Sequence, residues 1–314
     1  MVCVVVPPTL SKQSATPPRI ALAFYGLFRA VPFTFANIEA NLISPLSEIT
    51  PFLDIFLHSL LVSQRIVEDR EGAKNKTAAP APDPFAFIKF NATRRLCSFS
   101  IENQLVFDAD NHISERAKEA WAAKANRNLR LKHGYTLSSF YNILRATYSL
   151  LSVSKLIRAR EREGGFTYSH LVFARPDIRL EKPLRWKDFP FKVKGNVVMV
   201  PNNQHYGGIN DRFAFGTRKV MLHLSTQFEA EAAAALPLSG QNSEKRRAVH
   251  LSSLSPNVTI AFTPLCLVRV RGTGAVVERD KIAKRQTFHP LPRLVPLFRP
   301  KIDNLQPCGS GAGF

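Results

Sequence analysis

Five polar clusters stand at the ends of apolar runs in this chain: Arg29, Asp54 with His58, Arg175 with Asp177, Asn210-Asp211-Arg212, and Arg269 with Arg271. The most informative is His170-Leu-Val-Phe-Ala-Arg-Pro-Asp177, a run of strand length that stops at an arginine, a proline and a carboxylate. Proline has no N–H to continue a sheet ladder, so it suits a strand end. In open α/β sheets ligands bind at the carboxyl ends of strands, where a carboxylate beside a guanidinium can hold a divalent metal and a phosphate together. The five clusters together supply what a phosphate-bearing substrate needs. They offer a carboxylate for a metal, guanidinium forks for phosphate oxygens and further acids for proton transfer.

Taken singly, each cluster also has a structural explanation. Asp177 can start a turn with Arg175 paired to a surface acid, Asp54 can satisfy a backbone amide, His58 can be a core or rim histidine, and Arg269 with Arg271 can form one solvated strand face. Several other chemistries lack their motif. No Gly-x-x-x-x-Gly-Lys-Ser/Thr loop, no Gly-x-Gly-x-x-Gly before a helix and no Gly-x-Ser-x-Gly elbow is present, which argues against a P-loop nucleotidase, a dinucleotide oxidoreductase and a serine hydrolase.

Positioning these residues calls for alternating strands and helices. Arg19–Tyr25 reads as a buried strand broken at Gly26, Phe33–Leu46 as a helix with Phe35, Ile38, Leu42 and Leu46 on one face, and Phe52–His58 as a second strand, together a βαβ unit. Residues 85–110 read as short strands, and Ser114–Arg127 as a charged, Ala-rich helix. Thr136–Arg162 carries an apolar stripe at helical spacing, with Thr136 as cap and Gly164-Gly165 as its end. The aromatic residues of that stripe, Tyr148 among them, read as core packing. Beyond Asp177 the pattern gives a strand at Asn196–Pro201, helices near Thr217–Ala235 and Ser243–Ser252, and strands at Thr259–Phe262 and Leu267–Arg271.

The 314 residues, 45% hydrophobic, are enough for a full core and exclude disorder throughout. The organisation expected is a disordered leader over 1–18, one α/β domain over 19–281 with a loop insertion at 68–84, and a Pro-rich basic tail over 282–314. Lys and Arg number 43 against 24 Asp and Glu, a charge of +19 that favours anionic partners. No arginine-rich helix, ribonucleoprotein box or zinc finger is present, which argues against nucleic acid. Cys3, Cys97, Cys266 and Cys308 have no paired spacing, arguing against a zinc site or disulfide framework. The apolar Met1–Val6 is too short for a membrane span, so no integral membrane segment is expected. Acceptor triplets begin at Asn75, Asn91 and Asn257 and leave the compartment open.

Tyr25-Gly-Leu-Phe-Arg29, Asp54-Ile-Phe-Leu-His58-Ser59, Tyr148-Ser-Leu150, Phe173-Ala-Arg-Pro-Asp177, Asn210-Asp-Arg-Phe-Ala-Phe-Gly216, Ser243-Glu244 and Val268-Arg-Val-Arg271 occur in an order that resembles a little-characterised group of glycosyltransferases from algae, large viruses and bacterial polysaccharide loci. The resemblance covers roughly Arg19 to Asp280. It implies a single GT-A-type (Rossmann-like) α/β domain with a mixed, mainly parallel sheet flanked by helices. It also implies transfer of a sugar from a nucleotide-sugar donor to a glycan or other hydroxyl acceptor.

In that frame Arg175-Pro-Asp177 stands where such enzymes carry Asp-x-Asp, and Asp177 is the expected ligand of Mn²⁺ or Mg²⁺. Arg29, Asp54, His58, Arg175, Arg269 and Arg271 are the expected donor contacts. Asp211, with Glu244 as a second candidate, lies on the acceptor side as base or sugar-hydroxyl ligand. Arginine in place of the first aspartate departs from the family pattern. The resemblance fits a cytoplasmic protein or a Golgi-associated one without a visible anchor. The rival reading is a non-catalytic protein that binds glycan or nucleic acid on a degenerate transferase fold.

Overall fold

The computed structural model describes residues 17–62, 96–125, 137–185, 195–206, 208–232, 242–254, 258–263 and 265–277. The expectations for the leader before Pro17, for residues 68–84, for the Thr136 cap, for the tail from 282 and for the three acceptor asparagines lie outside these residues.

Strand β1 (Ile20–Tyr25) is buried along its whole length, as expected of a continuous apolar run covered on both faces. It pairs in parallel with β2 (Leu53–Leu61) on one side and β4 (His170–Ala174) on the other. The link from β1 to β2 is helical in three parts: α1 (Val31–Ile38), a π-helical turn (Glu39–Ile43) and α2 (Ser44–Ile49). Pro45 explains the π turn. It has no N–H for the Asn41 carbonyl and its ring would crowd that oxygen, so the helix widens there. The Ser44 N–H bonds Glu39 O, and the released Asn41 carbonyl accepts the Leu184 N–H at 2.8 Å.

Strand β3 (Leu96–Asn103) extends the sheet beside β2, and the Asn103 side chain caps α3 (Gln104–Asp110) by accepting the Leu105 N–H at 2.9 Å. Helices α4 (Ile113–Ala125) and α5 (Leu137–Gly164) follow. Gly165, at φ +61°, turns the chain out of α5 toward β4. Next come β5 (Ile178–Leu180), β6 (Val197–Pro201), β7 (Phe213–Thr217), α6 (Arg218–Ser225), α7 (Gln227–Ala232), α8 (Ser243–Ser252), β8 (Thr259–Thr263) and β9 (Leu267–Arg269).

The central sheet has seven strands in the order β3-β2-β1-β4-β7-β6-β8, and β5 with β9 forms a separate antiparallel pair. β7 runs antiparallel to both neighbours while β6 and β8 are parallel to each other, so every strand of the large sheet except β7 points one way. This is the mixed, mainly parallel α/β sheet expected from the sequence.

Alternation along β1 builds a core on each face. Ile20, Leu22 and Phe24 pack with Val31, Ile38, Leu42 and Leu46 from the first helical link and with Leu180 and Leu267 of the small pair. Ala21, Ala23 and Tyr25 face Leu150, Val153 and Ile157 of α5, Leu224 of α6 and Leu251 of α8. No described helix is long and apolar enough to cross a membrane.

Three readings change. Phe213–Thr217 is a strand, although its short run behind Asn-Asp-Arg carries little strand signal; a Cβ on Gly216 would lie 2.4 Å from Val197 O, so glycine permits the close pairing. The Leu267–Arg271 strand is shorter and leaves the central sheet to cover β5. The helix expected over 217–235 breaks at Thr226 into α6 and α7. Cys97 is a buried free thiol and Cys266 is disulfide-bonded, a bond that the cysteine spacing did not announce.

Candidate functional site

Register brings three of the polar clusters to one edge. β1 ends at Tyr25, β4 ends at Ala174, and Ala174 pairs with Phe213 at the start of the antiparallel β7. The segments after β1, after β4 and before β7 therefore emerge side by side, and the Arg175 N–H donates to Arg212 O at 2.8 Å. β1 and β4 are also where the strand order reverses: the chain runs outward to β2 and β3 on one side and to β7, β6 and β8 on the other. Ligands of open α/β sheets bind outside the strand carboxyl ends at such a switch point.

The Arg-Pro-Asp turn is held from two directions. Thr34 of α1 donates its hydroxyl to Pro176 O at 2.7 Å, and the Val270 N–H beyond β9 donates to Asp177 O at 2.8 Å. Within the turn Arg175 closes a fork on Asp177, Nε to Oδ1 at 2.8 Å and Nη2 to Oδ2 at 2.6 Å. Burial pushes the Asp177 carboxyl up, but the Arg175 guanidinium, helped by Arg29 and Arg212, outweighs this and holds it below the ordinary carboxylate range. Arg29 sits half-buried on the β1 exit loop.

Asn210, Asp211 and Arg212 form the second layer. Asn210 Oδ1 accepts the Arg212 N–H at 2.8 Å, which fixes the loop, and Arg212 Nη1 lies 3.1 Å from Asp211 Oδ1. Burial opposes the Asp211 charge, yet Arg212, Arg175 and Arg247 hold this carboxyl far below its usual range. Helix α8 supplies the third layer. Its first turn is capped by Asn242 Oδ1, which accepts the Lys245 N–H at 2.9 Å, and the Ile209 N–H donates to Glu244 O at 2.9 Å. A Cβ on Gly208 would lie 2.1 Å from the Glu244 carbonyl group, so glycine lets loop and helix meet.

The Glu244 carboxylate takes the Ser243 hydroxyl at 3.1 Å and lies 3.5 Å from Arg212 Nη2. Burial and the neighbouring Asp211 charge push its carboxyl up to about 7. One helical turn on, Arg247 Nη2 donates to the Tyr25 hydroxyl at 3.1 Å and Nη1 to Asn210 O at 3.2 Å, while Tyr25 donates to Asp211 O at 2.7 Å. Tyr25 and Arg247 were not among the sequence candidates. The i, i+3 spacing of Glu244 and Arg247 was the available signal, since it puts both on one helix face.

The other candidates stand differently. Asp54 is not brought to this edge. β2 continues to Leu61, so Asp54, opposite Ala21, lies near its start, where it accepts from the Tyr168 hydroxyl and sits 3.9 Å from Arg160 Nε. His58 is fully buried opposite Tyr25, its Nδ1 2.8 Å from Ser149 Oγ and its Nε2 2.9 Å from Glu102 Oε1. The same Ser149 oxygen accepts the Gly26 N–H at 2.7 Å, so His58 shapes the β1 exit turn from within. Tyr148 is core-facing, stacked on Phe107 at 4.1 Å, with its hydroxyl on Glu102. Arg269 lies opposite Ile178, the residue after Asp177, and Arg271 follows within the same covering segment. An open cleft of ≈620 Å³, lined by Arg158, Glu161, Arg162, Phe166 and Arg218 among others, lies at the opposite, amino end of β4.

These donors do not fit a divalent cation. Both Asp177 oxygens are taken by Arg175, and among the described residues no group of three or more His, Cys, Asp or Glu side chains could hold a metal ion. The edge instead gathers Arg29, Arg175, Arg212 and Arg247 around Asp177, Asp211 and Glu244.

No family model matches the chain, and no curated protein sequence matches it. Among solved structures it is similar to the crystal structure of mouse xyloside xylosyltransferase 1 in its apo form, at 9% identity and a TM-score of 0.37, over 78% of this chain and 84% of that one.

Proposed function

We propose that the chain is a glycosyltransferase that moves a sugar from a nucleoside-diphosphate sugar to a glycan or other hydroxyl acceptor. The observation that carries this reading is the convergence of Arg29, Arg175, Asp177, Asp211, Arg212, Glu244 and Arg247 at the carboxyl ends of β1 and β4, where the strand order reverses. The order of motifs along the chain that resembles glycosyltransferases points the same way. Guanidinium groups fixed in a partly dry crevice stabilise the charge that grows on a departing nucleoside diphosphate, and they need no reorganisation when the glycosidic bond breaks. Arg269 and Arg271, carried in beside the turn by β9, are further cations for the donor.

The two acceptor-side carboxyls have different tasks. Asp211 is held ionised by its arginines and suits accepting a hydrogen bond from a sugar hydroxyl. Glu244, pushed up to about 7, suits taking the acceptor proton at neutral pH. The test is a thermal-shift panel of nucleoside diphosphates and nucleotide sugars, followed by product analysis for each one that binds. At least one nucleoside diphosphate raises Tm if the reading holds; a folded protein that responds to none overturns it.

A second reading, a non-catalytic polyanion-binding protein on this fold, is favoured by the cleft of Arg158, Arg162 and Arg218. Its mark is salt-steep binding of an acidic polymer with no turnover.

A further inference from the structure

Resting on the transferase reading, we infer that the donor diphosphate is bound without a divalent cation, with Arg175 as its ligand and Asp177 as the residue that aims Arg175. Three observations carry this. The first is the fork itself. Arg175 reaches two residues along the chain and engages both Asp177 oxygens, at 2.8 and 2.6 Å, so a metal entering here has to break a charge-assisted pair.

The second is the orientation of the pair. The Asp177 side chain is 6% exposed and the Arg175 side chain 26%, so the cation is the member turned toward the crevice. A guanidinium has five N–H donors in one plane; two are spent on Asp177, which leaves three for phosphate oxygens. Asp177 itself is fixed from behind, because its carbonyl accepts the Val270 N–H and the preceding Pro176 carbonyl accepts from Thr34.

The third is the local charge. Arg29, Arg175, Arg212 and Arg247 exceed Asp177, Asp211 and Glu244 even with every carboxyl ionised. A divalent cation placed among them would face like charge, whereas a diphosphate supplies the anion the cluster lacks. The arginine that replaces the first aspartate of the family pattern therefore does the metal's electrostatic work through its own fixed charge.

The experiment is isothermal titration of the nucleoside diphosphate that scores in the panel, in excess EDTA and again in millimolar Mn²⁺. Equal affinity in the two buffers is expected. Binding that needs Mn²⁺ overturns the metal-free inference and leaves the transferase reading standing; binding of no nucleoside diphosphate in either buffer overturns both. Arg175→Lys keeps the charge but loses the planar fork, and is expected to weaken binding by roughly tenfold in both buffers. Asp177→Asn is expected to weaken it equally in EDTA and in Mn²⁺. A loss confined to Mn²⁺ would make Asp177 a metal ligand after all. The wild-type comparison stands even if that variant folds poorly.

Discussion

Glu244 is where burial, charge and the proposed chemistry meet. A carboxyl whose folded pKa lies above its unfolded value holds its proton more tightly in the native state, so native stability falls as pH rises from about 4.5 through about 7. Glu244→Gln removes that dependence, and its stability advantage over the wild type is expected to grow across this window by up to about 3 kcal/mol. Urea unfolding of both proteins at pH 5 and pH 7.5 checks it; parallel stability curves would show that Glu244 is not buried against Asp211 as described. The proposed catalytic role requires the same variant to lose turnover while still binding the donor. At this scale the sequence was informative where an apolar run ended in charge, as at Arg175, Asp177 and Asp211. It was silent on Tyr25 and Arg247, because a buried tyrosine ending a strand and an arginine in a basic helix look ordinary until a fold brings them to 3.1 Å.

Helix α8 carries Glu244 and Arg247, and its other end is joined to α6 by a pair of histidines. His223 Nε2 lies 2.9 Å from His250 O and His250 Nε2 lies 2.7 Å from His223 O, with the rings stacked at 4.3 Å. Burial lowers His250 to about 4, and His170 and His205 likewise. The unfolded chain takes up these protons near pH 6.5 and the folded chain does not, so stability is lost as pH falls from about 6.5 to about 4. His250→Gln is expected to flatten that loss by about one proton's worth of slope in urea midpoint against pH. An unchanged slope would mean that His250 is already charged in the native state.

The sequence gave good access to elements whose periodicity is long. β1, α5 and α8 lie where the apolar pattern put them. β2 was cut three residues short at His58, and that error moved Asp54 to a strand end where it does not stand. β7 was missed because its alternation of Phe with Ala and Gly is brief and follows a polar loop. Only its pairing between β4 and β6 makes it a strand.

Across the whole molecule the excess of cations sets a general repulsion. With 43 Lys and Arg against 24 Asp and Glu, raising NaCl from about 10 mM to about 150 mM shortens the screening length from roughly 30 to roughly 8 Å and is expected to raise Tm. A fall in Tm would show that paired charges outweigh the repulsion. The α/β class was legible in the composition and in the alternation of patterns, since burial of both sheet faces demands unbroken apolar strands. The route of β9, which leaves the large sheet to cover β5, was not legible, because a short apolar run does not say which edge it will join.

The crevice is stitched from remote parts of the chain: Gly26 to Ser149 across 123 residues, Tyr25 to Asp211 across 186, and Arg247 to Tyr25 across 222. Contacts of such separation form only after the loops between them have closed, so they come late in folding. During synthesis, β1 and its helical link leave the ribosome long before the residues that complete their exit turn exist. Tyr25 must wait for the last of its partners on α8, and the binding edge is therefore among the final parts of this protein to take shape.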